Sequence, residues 1–161
     1  VAACPVVPGR FEVLARSPAV AIDYAHTADA LARILDTARR LTDGRVIAVF
    51  GAGGGADSAK REPMGEAVGA RVDLAYVTSD NPRDEDPATI AGAVAAGCER
   101  GGRARVIVEL DRAAAITQAL AEAHARDVVV IAGKGHETGQ EIRGEVLPFS
   151  DRELVRALVR G

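Results

Sequence analysis

Asp80-Asn81-Pro82-Arg83 puts an acid, an amide and a planar cation side by side. The apolar run Asp73-Leu74-Ala75-Tyr76-Val77 just before it reads as a buried parallel strand. The four residues then occupy the loop at a strand's carboxyl end, which is where an open α/β sheet binds ligands. Pro82 stiffens the turn and biases Asn81 toward an extended backbone. Arg83 offers a fork of donors that fits a carboxylate two bonds at a time, which a lysine cannot do. As a loop residue at a strand end, it is expected to add little to the core. Three other polar segments follow apolar runs in the same way: Asp23-Tyr24-Ala25-His26-Thr27; Gly51 to Gly55 with Lys60-Arg61 downstream; and Gly133-Lys134-Gly135-His136-Glu137. Singly, each suits a cap, a tight turn or a solvated helix start. Together they predict one polar rim built from four loops.

The elements that must carry this rim alternate in kind. Val20 to Tyr24, Arg45 to Gly51, Asp73 to Val77, Val106 to Leu110 and Asp127 to Gly133 read as strands. Between them, Leu31, Ile34, Leu35, Ala38 and Leu41 recur at helical spacing, as do Met64, Ala67, Val68 and Arg71 after a start near Glu62-Pro63. Asp86-Pro87 is an N-cap with proline at the first helical position, and Asp111 caps the helix carrying Ile116 and Leu120. Lys134 to Pro148 reads as a loop with a small hairpin, and Ser150-Asp151-Arg152-Glu153 as a capping box opening the last helix. This alternation predicts one α/β domain over residues 1–161, a Rossmann-like, mostly parallel sheet with helices on both faces.

Composition agrees with that class and excludes others. The chain has 161 residues, 48% of them hydrophobic and only 3% aromatic, a usage suited to strands made of Val and Ile. A net charge of −3 with no Lys/Arg block points away from nucleic acid and from acidic membrane surfaces. No apolar run is long enough for a membrane span, and the first residues do not read as a signal peptide. Cys4 and Cys98 do not form a metal or disulfide pattern, which suggests a reducing cytoplasm. A first residue of Val1 suggests a piece of a longer protein.

Gly51-Ala52-Gly53-Gly54-Gly55-Ala56 fits G-x-G-x-x-A after a strand, so a dinucleotide-binding module is one reading of the chain. That fingerprint wants a helix starting inside the loop and an acid at the end of the next strand. Here Asp57-Ser58-Ala59-Lys60-Arg61 delays the helix, and Asp80 comes late and leads into Asn-Pro-Arg. No G-x-x-x-x-G-K-[ST] occurs, so the chain brings no phosphate cradle for ATP. His26 and His136 are the only acid–base candidates near the rim, and neither has a carboxylate orienter visible in the sequence.

Taken together, Gly9-Arg10-Phe11-Glu12, Asp23 to Thr27, Lys60-Arg61, Asp80 to Pro87 and Ala132 to Glu137 resemble, in this order, the motifs of the Mur ligases, most closely the branch that adds meso-diaminopimelate. The resemblance covers essentially the whole chain and implies the family's C-terminal domain, without its UDP-binding and central ATPase domains. It implies that Asp80, Asn81, Pro82 and Arg83, with Arg61, Gly133 and Glu137, bind meso-diaminopimelate, Asn81 and Arg83 holding its distal stereocentre. It also implies that Arg10 and Asp23, with His26 beside them, approach ATP when this domain closes over the central one. Implied too are ATP and Mg2+ bound mainly by the central domain, a UDP-MurNAc-dipeptide as co-substrate, and a cytoplasmic, ATP-dependent ligation in which the amine attacks an acyl phosphate of the D-glutamate side chain. No catalytic side chain and no metal ligand is assigned to this chain. Members usually carry Asp and Arg where Gly55 and Ala56 stand, so this loop is less polar than the family's. A non-catalytic regulatory domain on the same fold is the remaining alternative.

Overall fold

The computed structural model describes residues 9–55 and 57–160. Cys4 and Ala56, which entered the sequence reading, lie outside the described residues. Five strands run parallel: β2 (Ala19–Asp23), β3 (Val46–Phe50), β4 (Leu74–Val77), β5 (Arg105–Val108) and β6 (Val128–Ala132). A strand that the sequence reading lacked, β1 (Glu12–Arg16), pairs antiparallel with β2 at one edge. Glu, Leu, Ala and Arg suit a helix as well as a strand, and an edge position leaves β1 half-exposed, so neither propensity nor periodicity marks it. The sheet order is β1-β2-β6-β3-β4-β5, which makes the space above β6 and β3 the point where the winding reverses.

Helices α1 (Ala28–Arg40), α2 (Arg61–Gly69) and α3 (Pro87–Gly101) cover one face, and α4 (Arg112–Glu122) and α5 (Asp151–Arg160) the other. Because both faces are covered, successive residues of a central strand bury in opposite directions. Val46, Ala48 and Phe50 of β3 meet α1 to α3, while Ile47 and Val49 meet α4 and α5. This explains strands that read as unbroken apolar runs. Each of the Val, Ile and Phe side chains among them contributes roughly 1.5–3 kcal/mol of burial. The Asp86 cap with Pro87 and the Asp111 cap are present as expected, and Ser150 Oγ accepts from Glu153 N at 3.2 Å. Strand β5 ends at Val108, two residues before the predicted Leu110, and a 3-10 turn over Ser58–Lys60 precedes α2. Burial pushes the Cys98 thiol up to about 12, with Glu99 adding to the shift, so Cys98 is an inert core residue.

Register lines up the strand ends that matter. Asp23 lies opposite Ala132, Val49 opposite Ile131 and Phe50 opposite Val77, so the loops after β2, β6, β3 and β4 leave the sheet at one level.

At the opposite end, two carboxylates fasten the strand starts. Asp127 accepts from the backbone of Arg45 and His124 and from the Arg45 side chain, and Asp73 accepts from Val46 N and from Arg39 and Arg103. Burial alone would raise both pKa values, but these hydrogen bonds and charges outweigh it and hold both carboxyls below their ordinary value. A carboxyl depressed in the folded state gives stability that is present above the unfolded pKa of about 4 and lost as pH falls through the folded value. Unfolding free energy measured by urea titration should therefore be level from about pH 8 to 5 and decline below about 4. Asp127→Asn should flatten that decline, and an unchanged acid slope would contradict the assignment.

Candidate functional site

All four predicted loops meet in one cleft of about 490 Å3 above β6 and β3. Its walls include His26 and Thr27 from the first loop, Gly51 to Gly53 and Arg61 from the second, Asp80, Asn81 and Arg83 from the third, and Gly133 and Glu137 from the fourth. Three cations, Lys60, Arg61 and Arg83, and three acids, Asp57, Asp80 and Glu137, thus face one space. Pro82, Arg10 and Asp23 do not line it.

The Asp80–Arg83 loop is held from three sides. Toward the second loop, Gly54 N donates to Asn81 O at 2.8 Å and Arg83 Nη1 donates to Gly54 O at 2.5 Å. A Cβ on Gly54 would stand 1.9 Å from Pro82 O, so glycine is required there for the two backbones to approach. This accounts for the glycine run without a dinucleotide. No helix begins in the loop, since α2 opens only at Arg61, and the dinucleotide reading therefore lacks its phosphate-binding helix terminus.

From the second side comes a hairpin of β7 (Gly139–Ile142) and β8 (Glu145–Pro148). Arg83 N donates to Glu141 O at 3.0 Å, Arg143 N donates to Arg83 O at 2.8 Å, and Gln140 Nε2 donates to Asp80 O at 2.8 Å. Arg83 itself sits at φ 53, a left-handed backbone uncommon for a side chain of its size. Arg83 is no part of the buried core, and its main chain pins the hairpin. Its Nε also lies 3.3 Å from Glu141 Oε2, leaving the half-buried guanidinium partly engaged.

From the third side comes the loop after β6. Gly133 adopts φ +114, and a Cβ there would meet Asp80 Oδ2 at 2.4 Å, so the Gly-Lys-Gly backbone lies directly against Asp80. Lys134, next in sequence, is fully buried. Burial pulls its pKa below the ordinary value and the Arg112 charge adds to this, against the pull of Asp80, Glu137 and Asp151. Arg61 is buried at the cleft wall, with Nη2 donating to Glu85 Oε2 at 2.7 Å. Its Nε is buried with no hydrogen-bond partner among the described residues. Gly55, at the position where the loop departs from the family's polarity, donates to Glu85 Oε1 at 2.8 Å.

The first loop stands at the edge. Asp23 is buried, and its two carboxylate oxygens accept from Phe11 N and Ala25 N at 2.7 Å each, so it shapes the backbone on both sides of β2. Glu12 accepts from Gly9 N and from Arg152 of α5, and Arg10 extends outward over the Tyr24 ring at 5.3 Å. His26 Nδ1 lies 2.8 Å from Tyr24 O, and the Tyr24 hydroxyl lies 3.0 Å from His136 Nδ1. Tyr24 orients both histidines and was not singled out by sequence.

Sequence reasoning also missed the cation beneath the cleft. Arg112, fully buried at the first position of α4, donates through Nε and Nη2 to both oxygens of buried Asp151 at 2.8 and 2.7 Å. Its Nη1 reaches Ser79 O and its Nη2 also reaches Ala132 O, each at 3.1 Å. One guanidinium thereby ties the chain just before Asp80 to the chain just before Gly133. Burial opposes its charge, but Asp151, with Asp80 and Glu137 beyond, keeps its pKa raised. The available signal was an arginine at a helix N-terminus, where the helix dipole disfavours a cation.

A family model described as "Mur ligase, glutamate ligase domain" matches residues 9–135. The UDP-N-acetylmuramoyl-L-alanyl-D-glutamate--2,6-diaminopimelate ligase of Streptomyces coelicolor is 48% identical over 165 residues, covering 99% of this chain and 33% of that protein. A solved structure of a UDP-N-acetylmuramoyl-L-alanyl-D-glutamate--2,6-diaminopimelate ligase matches with a TM-score of 0.89 at 40% identity, covering 98% of this chain and 32% of that one. A bifunctional folylpolyglutamate synthase/dihydrofolate synthase from Yersinia pestis, complexed with AMPPNP and a Mn ion, matches with a TM-score of 0.59 at 28% identity, covering 80% of this chain and 28% of that one. The chain spans about a third of the length of the curated relatives it matches.

Breaking the buried pair on one side leaves an uncompensated charge in the interior. Arg112→Met or Asp151→Asn should each cost roughly 3–5 kcal/mol of unfolding free energy, whereas the double change Arg112→Met/Asp151→Leu should cost less than either alone. Chemical denaturation of the three variants measures this. A cost under about 1 kcal/mol for Arg112→Met would contradict the role given to the pair.

Proposed function

We propose, for a chain that belongs to the Mur ligases through their glutamate ligase domain, that it is the amino-acid-binding C-terminal domain of an ATP-dependent, amide-forming ligase and that its amino acid is meso-diaminopimelate. The UDP-binding and central ATPase domains of such a ligase would lie outside these 161 residues. The observation that carries the reading is the single cleft in which Arg61 and Arg83 face Asp80 and Glu137. With Lys60 and Asp57 at the same cleft the lining carries both signs, and a diamino dicarboxylic acid, with two charges of each sign, finds opposite partners there.

In this reading Arg83 and Asn81 take the distal carboxylate, Arg61 adds a positive wall beside them, and Glu137 accepts from an ammonium. Lysine lacks the distal carboxylate and would leave Arg83 unmatched beside a like charge, so the site penalises the wrong substrate as well as rewarding the right one. The domain's contribution to rate is orientation. Holding an amine in attack geometry against an activated carboxyl can lower the barrier by several kcal/mol. No side chain here is needed as nucleophile or base.

ATP supplies the activation of the accepting carboxyl. With no G-x-x-x-x-G-K-[ST] in this chain, its phosphates and Mg2+ are assigned to the central domain. Arg10, outward over Tyr24, fits a rim cation for the anionic nucleotide on closure, and Asp23 fits as the residue that fixes the backbone next to it. His26 lines the same cleft and, in this reading, meets the nucleotide beside them. The nucleotide-linked substrates suit the cytoplasm, and among the described residues no helix is long and apolar enough to cross a membrane.

The test is specificity. In the complete ligase, Arg83→Ala should lower kcat/KM for meso-diaminopimelate by about 2–4 kcal/mol equivalent, roughly 30- to 1000-fold, and Arg83→Lys should restore only part of it. Activity with lysine should fall far less. Because the Arg83 side chain also contacts Glu141 and Gly54 O, the comparison is between two amino acids in one variant. Equal losses for both would refute Arg83 as the discriminator.

A further inference from the structure

Lys134 is buried out of reach of any ligand, yet its ammonium sits behind the loop that reads the ligand. Its Nζ donates to Asn81 Oδ1 at 2.9 Å and to Gly139 O at 2.9 Å. Asp80 Oδ1 at 3.9 Å and Glu137 Oε2 at 3.6 Å neutralise it from beyond hydrogen-bond length. An ammonium taken wholly out of water is costly unless it is paired and hydrogen-bonded, so its placement calls for a reason that an apolar side chain would not meet.

Asn81 supplies that reason. Besides Lys134 Nζ, Glu141 N lies 2.9 Å from Asn81 Oδ1. An ammonium and a backbone N–H can only donate, so the side-chain atom between them must be the oxygen, and both of its lone pairs are used. The other end of the amide, Nδ2, is then turned away from Lys134 Nζ and Glu141 N, and Asn81 borders both the cleft and the adjoining hollow beside Tyr24, His136 and β7. An amide fixed in this way offers the ligand two N–H donors and no acceptor.

We propose that Lys134 is a positioning residue for amino-acid recognition: together with Glu141 N it fixes the Asn81 amide so that only its donors face the cleft, making Asn81 a reader of carboxylate. The inference rests on the cleft being the diaminopimelate site. It adds that selection against an ammonium or another donor at this point is set by a lysine that never touches the substrate. It also gives the hairpin a part in recognition, since Gly139 O and Glu141 N both belong to β7.

The test is a double-mutant cycle in the complete ligase, with steady-state kinetics for meso-diaminopimelate, ATP and the UDP-linked dipeptide. Lys134→Met and Asn81→Ala should each raise KM for diaminopimelate roughly 10- to 50-fold, with kcat and KM for ATP within about threefold of the parent. If Lys134 acts through Asn81, the double variant should lie within about threefold of the worse single one, whereas a merely structural lysine would give multiplying losses and move every parameter. Asn81→Asp provides an arm that leaves Lys134 intact. One carboxylate oxygen would stay with Lys134 and Glu141 N while the other faces the substrate's carboxylate, so KM should rise above that of Asn81→Ala without loss of melting temperature. Multiplying effects, or a KM for Asn81→Asp no higher than for Asn81→Ala, would overturn the inference while Arg83→Ala still raises KM and upholds the site. An unchanged KM in Arg83→Ala would overturn the site and this inference with it.

Discussion

Arg112 and Asp151 form an ion pair sealed inside the protein, and the relative position of two of the four loops that build the cleft depends on it. The carboxylate alone would satisfy the charge. The guanidinium does more, because its planar fork has donors left over for Ser79 O and Ala132 O, the last carbonyls before the Asp80 and Gly133 loops. A lysine at this position could neutralise Asp151 but could not bind four acceptors in fixed directions. Apolar packing of β3, β4 and β6 brings the strand ends to one level, and this cation then sets how their loops continue.

Above that floor, three of the groups facing the cleft are backed by another. Lys134 stands behind Asn81, Glu85 behind Arg61, and Glu141 beside Arg83. The arrangement keeps the side chains in place when no ligand is bound, and in the proposed reading it also lets the site accept a zwitterion without much reorganisation. The half-buried Arg83 guanidinium meets Gly54 O through Nη1 and the Glu141 side chain through Nε, so a ligand carboxylate would meet a donor fork already aimed by two contacts.

Much of this was legible in the sequence because it is local. Caps at Asp86 and Asp111 depend on a few neighbouring residues, and apolar strand runs depend on burial from both faces, so element order and the four-loop rim could be read directly. What escaped was contact over long sequence separation or at edges. The acid of the capping box at Ser150–Glu153 looked like an ordinary helix-start residue, but Asp151 is buried against Arg112, 39 positions away in sequence. The glycine run imitated a phosphate cradle because both uses of glycine answer the same need, close approach of another group, and only the structure reveals that the group is Pro82 O. β1, half-exposed at the sheet edge, carried no periodic signal at all.

A structure of the complete ligase with meso-diaminopimelate bound tests the central claim most directly. The account predicts the distal carboxylate at hydrogen-bond distance, about 2.7–3.2 Å, from both Arg83 and Asn81 Nδ2, with an ammonium of the same ligand facing Glu137. A ligand whose distal carboxylate points to solvent, or that lies outside this cleft altogether while Arg83 still holds Glu141, would contradict it.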